Sequence, residues 1–186
     1  MKKTEQAATS SRHMHPQDCF CCGAENDKSL QIDIPFDEDL GEVIYTYQFP
    51  EHAAGARGPK RLVHGGAVAA LVDEAQGALA QFIGHLILTD QLHMKYHKGT
   101  PLYEPVKVRA WVTAVRKRRL YTRATIHDQE DELLVSSSAS WYILPERMIK
   151  RMAAGAGIPF DLGQLEANKQ RAKQIRRRRR AEGKQS

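Results

Sequence analysis

The sequence predicts an α+β fold in which a curved antiparallel sheet wraps around one long central helix. Two patterns carry that expectation. Between Val63 and Ile83, the residues Val68, Leu71, Val72, Ala75, Leu79, Phe82 and Ile83 follow helical spacing, and alanine fills most gaps. Such a helix is apolar nearly all round and must be enclosed. After Gly84, strand-like stretches follow one another without the intervening helices that a parallel doubly wound sheet would need.

Taken in order, residues 1–17 are polar, lack sustained periodicity and read as a loose N-terminal arm. Leu30, Ile32, Ile34 and Phe36 then alternate with polar residues, as do Val43, Tyr45, Tyr47 and Phe49 beyond the turn at Asp37–Gly41, which predicts a hairpin. Pro50 ends it, and His52 to Pro59 is a Gly/Ala/Pro-rich loop. Beyond the helix, strands are expected over His85–Lys98, Val106–Lys117, Leu120–Asp128 and Leu133–Leu144, with turns at Gly99–Pro101 and Gln129–Asp131. Residues 146–155 and 161–180 are predicted helical. The organisation expected is thus an arm over 1–17, one domain over 18–148 and a helical basic extension over 149–186.

A chain of 186 residues is long enough to bury a core. MKKTEQAATSS lacks the apolar stretch of a secretory signal, and no run of about 18 apolar residues offers a membrane span. Three clustered cysteines, an odd number, argue against a disulfide framework. A soluble cytoplasmic protein is the expectation. The charge is lopsided: residues 166–186 hold nine Lys and Arg against Glu166 and Glu182, a surplus of seven that exceeds the whole chain's +6. The body is therefore close to neutral and the basicity belongs to the tail.

The chemistry concentrates in VHGGAVAALVDEAQGAL, residues 63–79. His64-Gly65-Gly66 stands at a helix start, where the first N–H groups lack partners and the macrodipole is positive. Glycine there lets a substrate oxygen approach the backbone, an arrangement that stabilises a developing oxyanion. Asp73 is a carboxylate in an apolar helix, costly to bury without a use. It lies nine residues after His64, roughly 13 Å along the axis, so one carbonyl cannot easily touch both in the same chain. A homodimer with composite sites resolves the difficulty.

His64-Gly65-Gly66, followed by small and apolar residues to Asp73-Glu74, closely resembles the helix motif of hotdog-fold acyl-CoA thioesterases of the phenylacetyl-CoA thioesterase (PaaI) type. Cys19-Phe20-x-Cys22-Gly23-x-x-Asn26 with Leu30, the strand to Tyr96 with Thr100-Pro101-Leu102, and Ser136 to Pro145 are similar to other stretches of that family. The resemblance covers about residues 19–145. It implies a hotdog fold and hydrolysis of acyl-CoA thioesters, with no cofactor beyond the coenzyme A of the substrate. Gly65 N–H would polarise the thioester carbonyl and His64 would fix the loop. Asp73 of the partner subunit would attack the carbonyl or activate a water, which Thr89 would help to place. Gly66, Glu74 and Tyr96 are expected near the substrate, with Glu74, about 100° round the helix from Asp73, salt-bridged or structural. Arg116 and Arg119 are the candidates to meet the phosphates of coenzyme A, a task suited to Arg. Two departures stand out: Gly58 where the family often has Asn or Gln, and Ser29 in place of a glycine.

Cys19, Cys21 and Cys22, with His13 and His15 upstream, raise the question of zinc. Structural zinc sites usually draw two ligand pairs from separated segments, and there is no second Cys pair, so no metal is expected and the cysteines read as small buried residues. Arg176–Arg180 lack interleaved aromatics and read as a solubilising tail rather than a nucleic-acid contact. The leading expectation is a thioesterase that forms a homodimer or dimer of dimers (a homotetramer). The alternative is a non-catalytic acyl-CoA-binding regulator whose basic tail contacts nucleic acid. A hotdog hydratase would need a paired Asp and His, which the spacing does not offer.

Overall fold

In the computed structural model, residues 9–10, 15–55, 61–155 and 162–181 are described. The described residues hold seven strands: β1 (Thr9–Ser10), β2 (Pro35–Asp37), β3 (Glu42–Tyr47), β4 (Ile87–Tyr96), β5 (Val106–Arg116), β6 (Arg119–His127) and β7 (Leu133–Ile143). They form one antiparallel sheet in the order β1-β2-β3-β5-β6-β7-β4. Helix α1 (Gly65–Phe82) lies against β3 to β6, followed in the chain by α2 (Glu146–Gly155) and α3 (Leu162–Ala181). No described helix is long and apolar enough to cross a membrane.

The sheet covers one side of α1. Val68, Leu71, Val72, Ala75 and Leu79 sit in a core shared with Val43, Val106, Val108, Ala110, Ala124 and Ile126. Inside this apolar seam lies one chain of polar groups. Trp141 Nε1–H donates to Thr122 Oγ1 at 2.8 Å, Thr122 donates to Gln76 Oε1 at 2.7 Å, and Gln76 donates to Ser137 Oγ at 3.2 Å. Gln76 is fully buried. A buried amide without such partners would cost a few kcal/mol, so this network holds α1 in one rotational setting.

Two expectations change. Leu30, Ile32 and Ile34 are buried as their alternation predicts, but the ladder with β3 contains only Pro35–Asp37. Upstream, the backbone pairs with the cysteine turn instead: Leu30 N–H donates to Phe20 O and Ile32 N–H to Cys21 O. Alternation reported the buried face correctly but could not name the partner. Within the segment read as a loose arm, Thr9–Ser10 extend the sheet beside β2. The later strands fall within one or two residues of their predicted limits.

The C-terminal extension docks where α1 ends. Gly84, at φ +81°, completes the turn out of the helix: its N–H donates to Gln81 O, and His85 N–H reaches back to Ala80 O. Asn168 on α3 donates to Gln81 O at 2.9 Å, satisfying a carbonyl of the last turn. Arg171 pairs with Glu38, and Arg178 donates to Asp39 at 2.7 Å and to Glu38 O. Part of the basic helix is thus a partner for the acidic β2–β3 turn.

A Cβ at Gly84 would stand 2.2–2.8 Å from Lys169 Cγ, N and Cα on α3, in a left-handed conformation. Gly84→Ala is expected to lower stability by about 2–4 kcal/mol through backbone strain and overpacking. Urea denaturation monitored by circular dichroism measures it.

Candidate active site

His64 caps α1. Its backbone is extended (φ −62°, ψ 132°), and its Nδ1 accepts the Gly66 N–H at 2.9 Å. The cap uses the Gly66 donor and leaves the Gly65 N–H, one residue earlier, without an acceptor among the described residues. Gly65 is exposed. Tyr96, at the end of β4, donates its hydroxyl to Gly65 O at 2.8 Å. The helix start is therefore held from both sides, with one donor turned outward.

Asp73 leaves α1 two turns further on, half-buried, and accepts a hydrogen bond from Thr89 Oγ1 at 3.3 Å. Burial raises its pKa above the usual 3.8, the Thr89 hydroxyl pulls it back, and the neighbouring Glu74 charge pushes it up. Thr89 and Tyr96 stand seven residues apart on one strand, an odd spacing that would normally send them to opposite faces. A bulge at Asp90, between Thr89 and Gln91, shifts the alternation so that Thr89 meets α1 and Leu92 and Met94 pack against the core. Asp90 itself turns to the outer face, accepting from Ser140 Oγ at 2.8 Å and pairing with Arg119.

Gly65 and Asp73 belong to the same helix but do not meet. A depression of about 470 Å³ lined by Asp90, His93, Arg119, Arg123, Ser138 and Ser140 lies on the outer face of the sheet, away from both. Arg119 is bound there to Asp90, whereas Arg116 is exposed at the end of β5. Gly58, one of the departures noted above, lies outside the described residues.

Glu74 points elsewhere. Its carboxylate is buried beside His15, with Oε1 3.0 Å from His15 Nδ1. Cys22 Sγ is also 3.0 Å from Nδ1, and Cys19 Sγ is 3.8 Å away. The Glu74 carboxylate beside it holds the His15 imidazole up to about 9. Burial and the same carboxylate push the Cys22 thiol up, and burial pushes Cys21 up to about 12. Against its own partial burial, Cys19 is pulled down by backbone N–H groups of Cys22 and Cys21 and by His15. This cluster was not foreseen, because Glu74 comes from a segment some 50 residues away from the cysteines in sequence. The Gln76 network was likewise not foreseen.

Residues 61–135 match the family model described as the thioesterase superfamily. The acyl-coenzyme A thioesterase THEM4 of Rattus norvegicus is 28% identical over 101 residues, 54% of this chain and 42% of the relative. The chain spans about half the length of the curated relatives it matches. A crystal structure of a thioesterase superfamily protein superposes with a TM-score of 0.61 at 27% identity, covering 68% of this chain and 60% of the other. The E. coli PaaI protein from the phenylacetic acid degradation operon gives 0.56 at 20% identity, covering 66% and 88%, a likeness of fold. With an enclosed helix and an antiparallel sheet wrapped on it, the chain has a hotdog fold, and its residues 61–135 are similar to the thioesterase superfamily.

Proposed function

We propose that the chain hydrolyses acyl-CoA thioesters at two equivalent sites, each shared between two copies. The observation that carries this reading is the position of β4. It is the last strand of the sheet, ten residues long, with one edge unpaired among the described residues. A long open edge invites pairing with another chain. Thr89 stands beside Asp73 and Tyr96 beside Gly65, equidistant from the middle of the strand at Leu92–His93. Antiparallel pairing of two β4 strands about that midpoint sets Thr89 of one copy opposite Tyr96 of the other. Each Asp73 then approaches the Gly65 of its partner, twice per dimer, as twofold symmetry requires.

In such a site the thioester oxygen accepts the Gly65 N–H at the positive end of α1. Asp73 attacks the carbonyl carbon or takes the proton of the water that does, and the Thr89 hydroxyl steadies its carboxylate. A C–O bond forms, the C–S bond breaks, and coenzyme A leaves as a thiolate, so no strong general acid is needed. Arg116 is available to the coenzyme A phosphates, whereas Arg119 is already paired with Asp90. Support for the substrate class comes from the match of residues 61–135 to the thioesterase superfamily and from the acyl-coenzyme A thioesterase name of the relatives. The engagement of Arg171 and Arg178 with Glu38 and Asp39 weighs against a tail devoted to nucleic acid.

Thiol release across an acyl-CoA panel, read in two variants and their mixture, tests this. Asp73→Asn should lower kcat by about 10²–10⁴-fold. Gly65→Pro replaces the N–H with a ring methylene, at the first helical position where proline is tolerated and after an extended His64, and should lower kcat by at least about 10²–10³-fold. Co-expressed, the two chains form mixed dimers with one intact site, so activity should return to about a quarter of wild type. A mixture as inactive as its parts overturns the shared site; unchanged turnover in Asp73→Asn overturns the role of that carboxylate.

The pH dependence follows from Asp73. It works ionised, so the acid limb of kcat/KM should lie above the ordinary 3.8, and Thr89→Val should move it higher still by removing the hydrogen bond. Folding raises this pKa, so the native state holds the proton more tightly than the unfolded chain. Stability therefore falls as pH rises from the ordinary value through the raised one. Asp73→Asn should raise Tm relative to wild type at about pH 7 and not at about pH 3, which thermal melts at the two pH values measure.

A further inference from the structure

The cluster beside α1 has the composition and geometry of a metal centre. His15, Cys19, Cys22 and Glu74 each offer one ligand atom, and those four atoms lie within 4.8 Å of one another. A single ring nitrogen, His15 Nδ1, faces three acceptors at once: Cys22 Sγ at 3.0 Å, Glu74 Oε1 at 3.0 Å and Cys19 Sγ at 3.8 Å. One N–H cannot serve all three, and at buried Glu74 Oε1 the close His15 contact is not aligned as a hydrogen bond. A cation at the centre would satisfy every one. Around a tetrahedral zinc with Zn–S of about 2.3 Å and Zn–N of about 2.0–2.1 Å, neighbouring ligand atoms stand roughly 3.2–3.8 Å apart.

The chain around these atoms is shaped for the same purpose. Gly23 N–H closes a tight turn on Cys19 O at 2.9 Å, and a Cβ at Gly23 would stand 2.4 Å from Cys19 N and Gln17 O. Only glycine fits, and the turn aims Cys19 and Cys22 at one point. Backbone N–H groups of Cys21 and Cys22 meet Cys19 Sγ, as they do for a thiolate ligand. Behind the ring, Gln81 Nε2 lies 2.8 Å from His15 Nε2, while Gln81 Oε1 is buried without a partner. Turning that amide over lets Oε1 accept the Nε2–H, which leaves Nδ1 free as the ligating nitrogen and supplies the usual support of a metal-bound histidine.

We propose that His15, Cys19, Cys22 and Glu74 form a tetrahedral zinc site that clamps the N-terminal segment onto α1 beside Asp73. Two sulfurs, one imidazole and one carboxylate suit zinc, and four protein ligands leave no open position, so the site is structural. Binding releases the thiol and imidazolium protons as the ligands coordinate. The site is independent of what the enzyme hydrolyses.

The test uses the full chain expressed without a His tag in zinc-supplemented medium. Metal analysis should find about one zinc per chain in wild type and in Cys21→Ser, and none above background in Cys19→Ser or Cys22→Ser. Cobalt exchanged into wild-type protein should give thiolate-to-cobalt charge transfer and the visible bands of a tetrahedral ion, a readout that does not depend on any variant folding. Glu74→Gln should weaken zinc at least about tenfold in competition with a chromophoric chelator, and removal of zinc should lower Tm. Folded wild-type protein with no stoichiometric zinc and no thiolate–cobalt band overturns the proposal, as does unchanged zinc affinity in Glu74→Gln.

Discussion

The enclosure of α1 governs this molecule. A helix that is apolar nearly all round cannot be covered by one sheet, because a sheet reaches only one side of it. The remaining sides are closed by the segment carrying the cysteines and by α3, which is why regions outside the sheet belong to the core. Enclosure also sets the terms for each polar side chain on the helix. Gln76 meets Thr122 and Ser137 on the sheet, Glu74 meets His15, and Gln81 lies between His15 and the docked α3. Asp73 alone among these stays partly open to solvent, steadied by Thr89. A carboxylate kept accessible in an otherwise closed helix is the chemical exception that draws attention to it.

The same helix separates the two groups that the proposed reaction needs. Gly65 and Asp73 are held apart by a rigid rod, and the edge strand β4 touches both. Its bulge at Asp90 brings Thr89 to the helix side, so a local irregularity of the backbone lets one strand buttress both ends. The displaced Asp90 then becomes useful on the other face, where Ser140 and Arg119 hold it. This explains why the bulge costs the sheet little: the residue it ejects finds two partners in the solvent-facing layer.

Much of this was legible in the sequence because it depends on short-range pattern. The helix start at His64, the apolar run behind it and the four late strands follow from periodicity and from Gly, Pro and β-branched residues. That Asp73 and Glu74 face different surroundings follows from a rotation of about 100° per residue. What could not be read depends on contacts between distant segments. The partner of Leu30 and Ile32 is a turn ten residues upstream in the chain, not a strand. Cysteine spacing does not point to Glu74, because a residue that a helix brings to the cluster leaves no spacing rule behind it. The Arg119–Asp90 pair was equally hidden, since the bulge that exposes Asp90 leaves alternation in the sequence unmarked.

Rotation of α1 about its own axis connects these observations. Side-chain atoms some 6 Å from a helix axis move by about 1 Å for every 10° of rotation, and reactive groups tolerate errors of roughly 0.5 Å. The setting of Asp73 is therefore as good as the restraint on helix rotation. The residues flanking it supply that restraint from different directions. Gln76, three positions on, is tied to the sheet through Ser137 and Thr122. Glu74, the next residue, is tied to the N-terminal segment through His15. A hydrogen-bonded amide on one face and a clamped carboxylate on another leave the helix little freedom to turn. The cysteine turn, bound to Glu74 through His15, is thus part of what orients Asp73, and a change there would act on the proposed reaction through the angle of a helix.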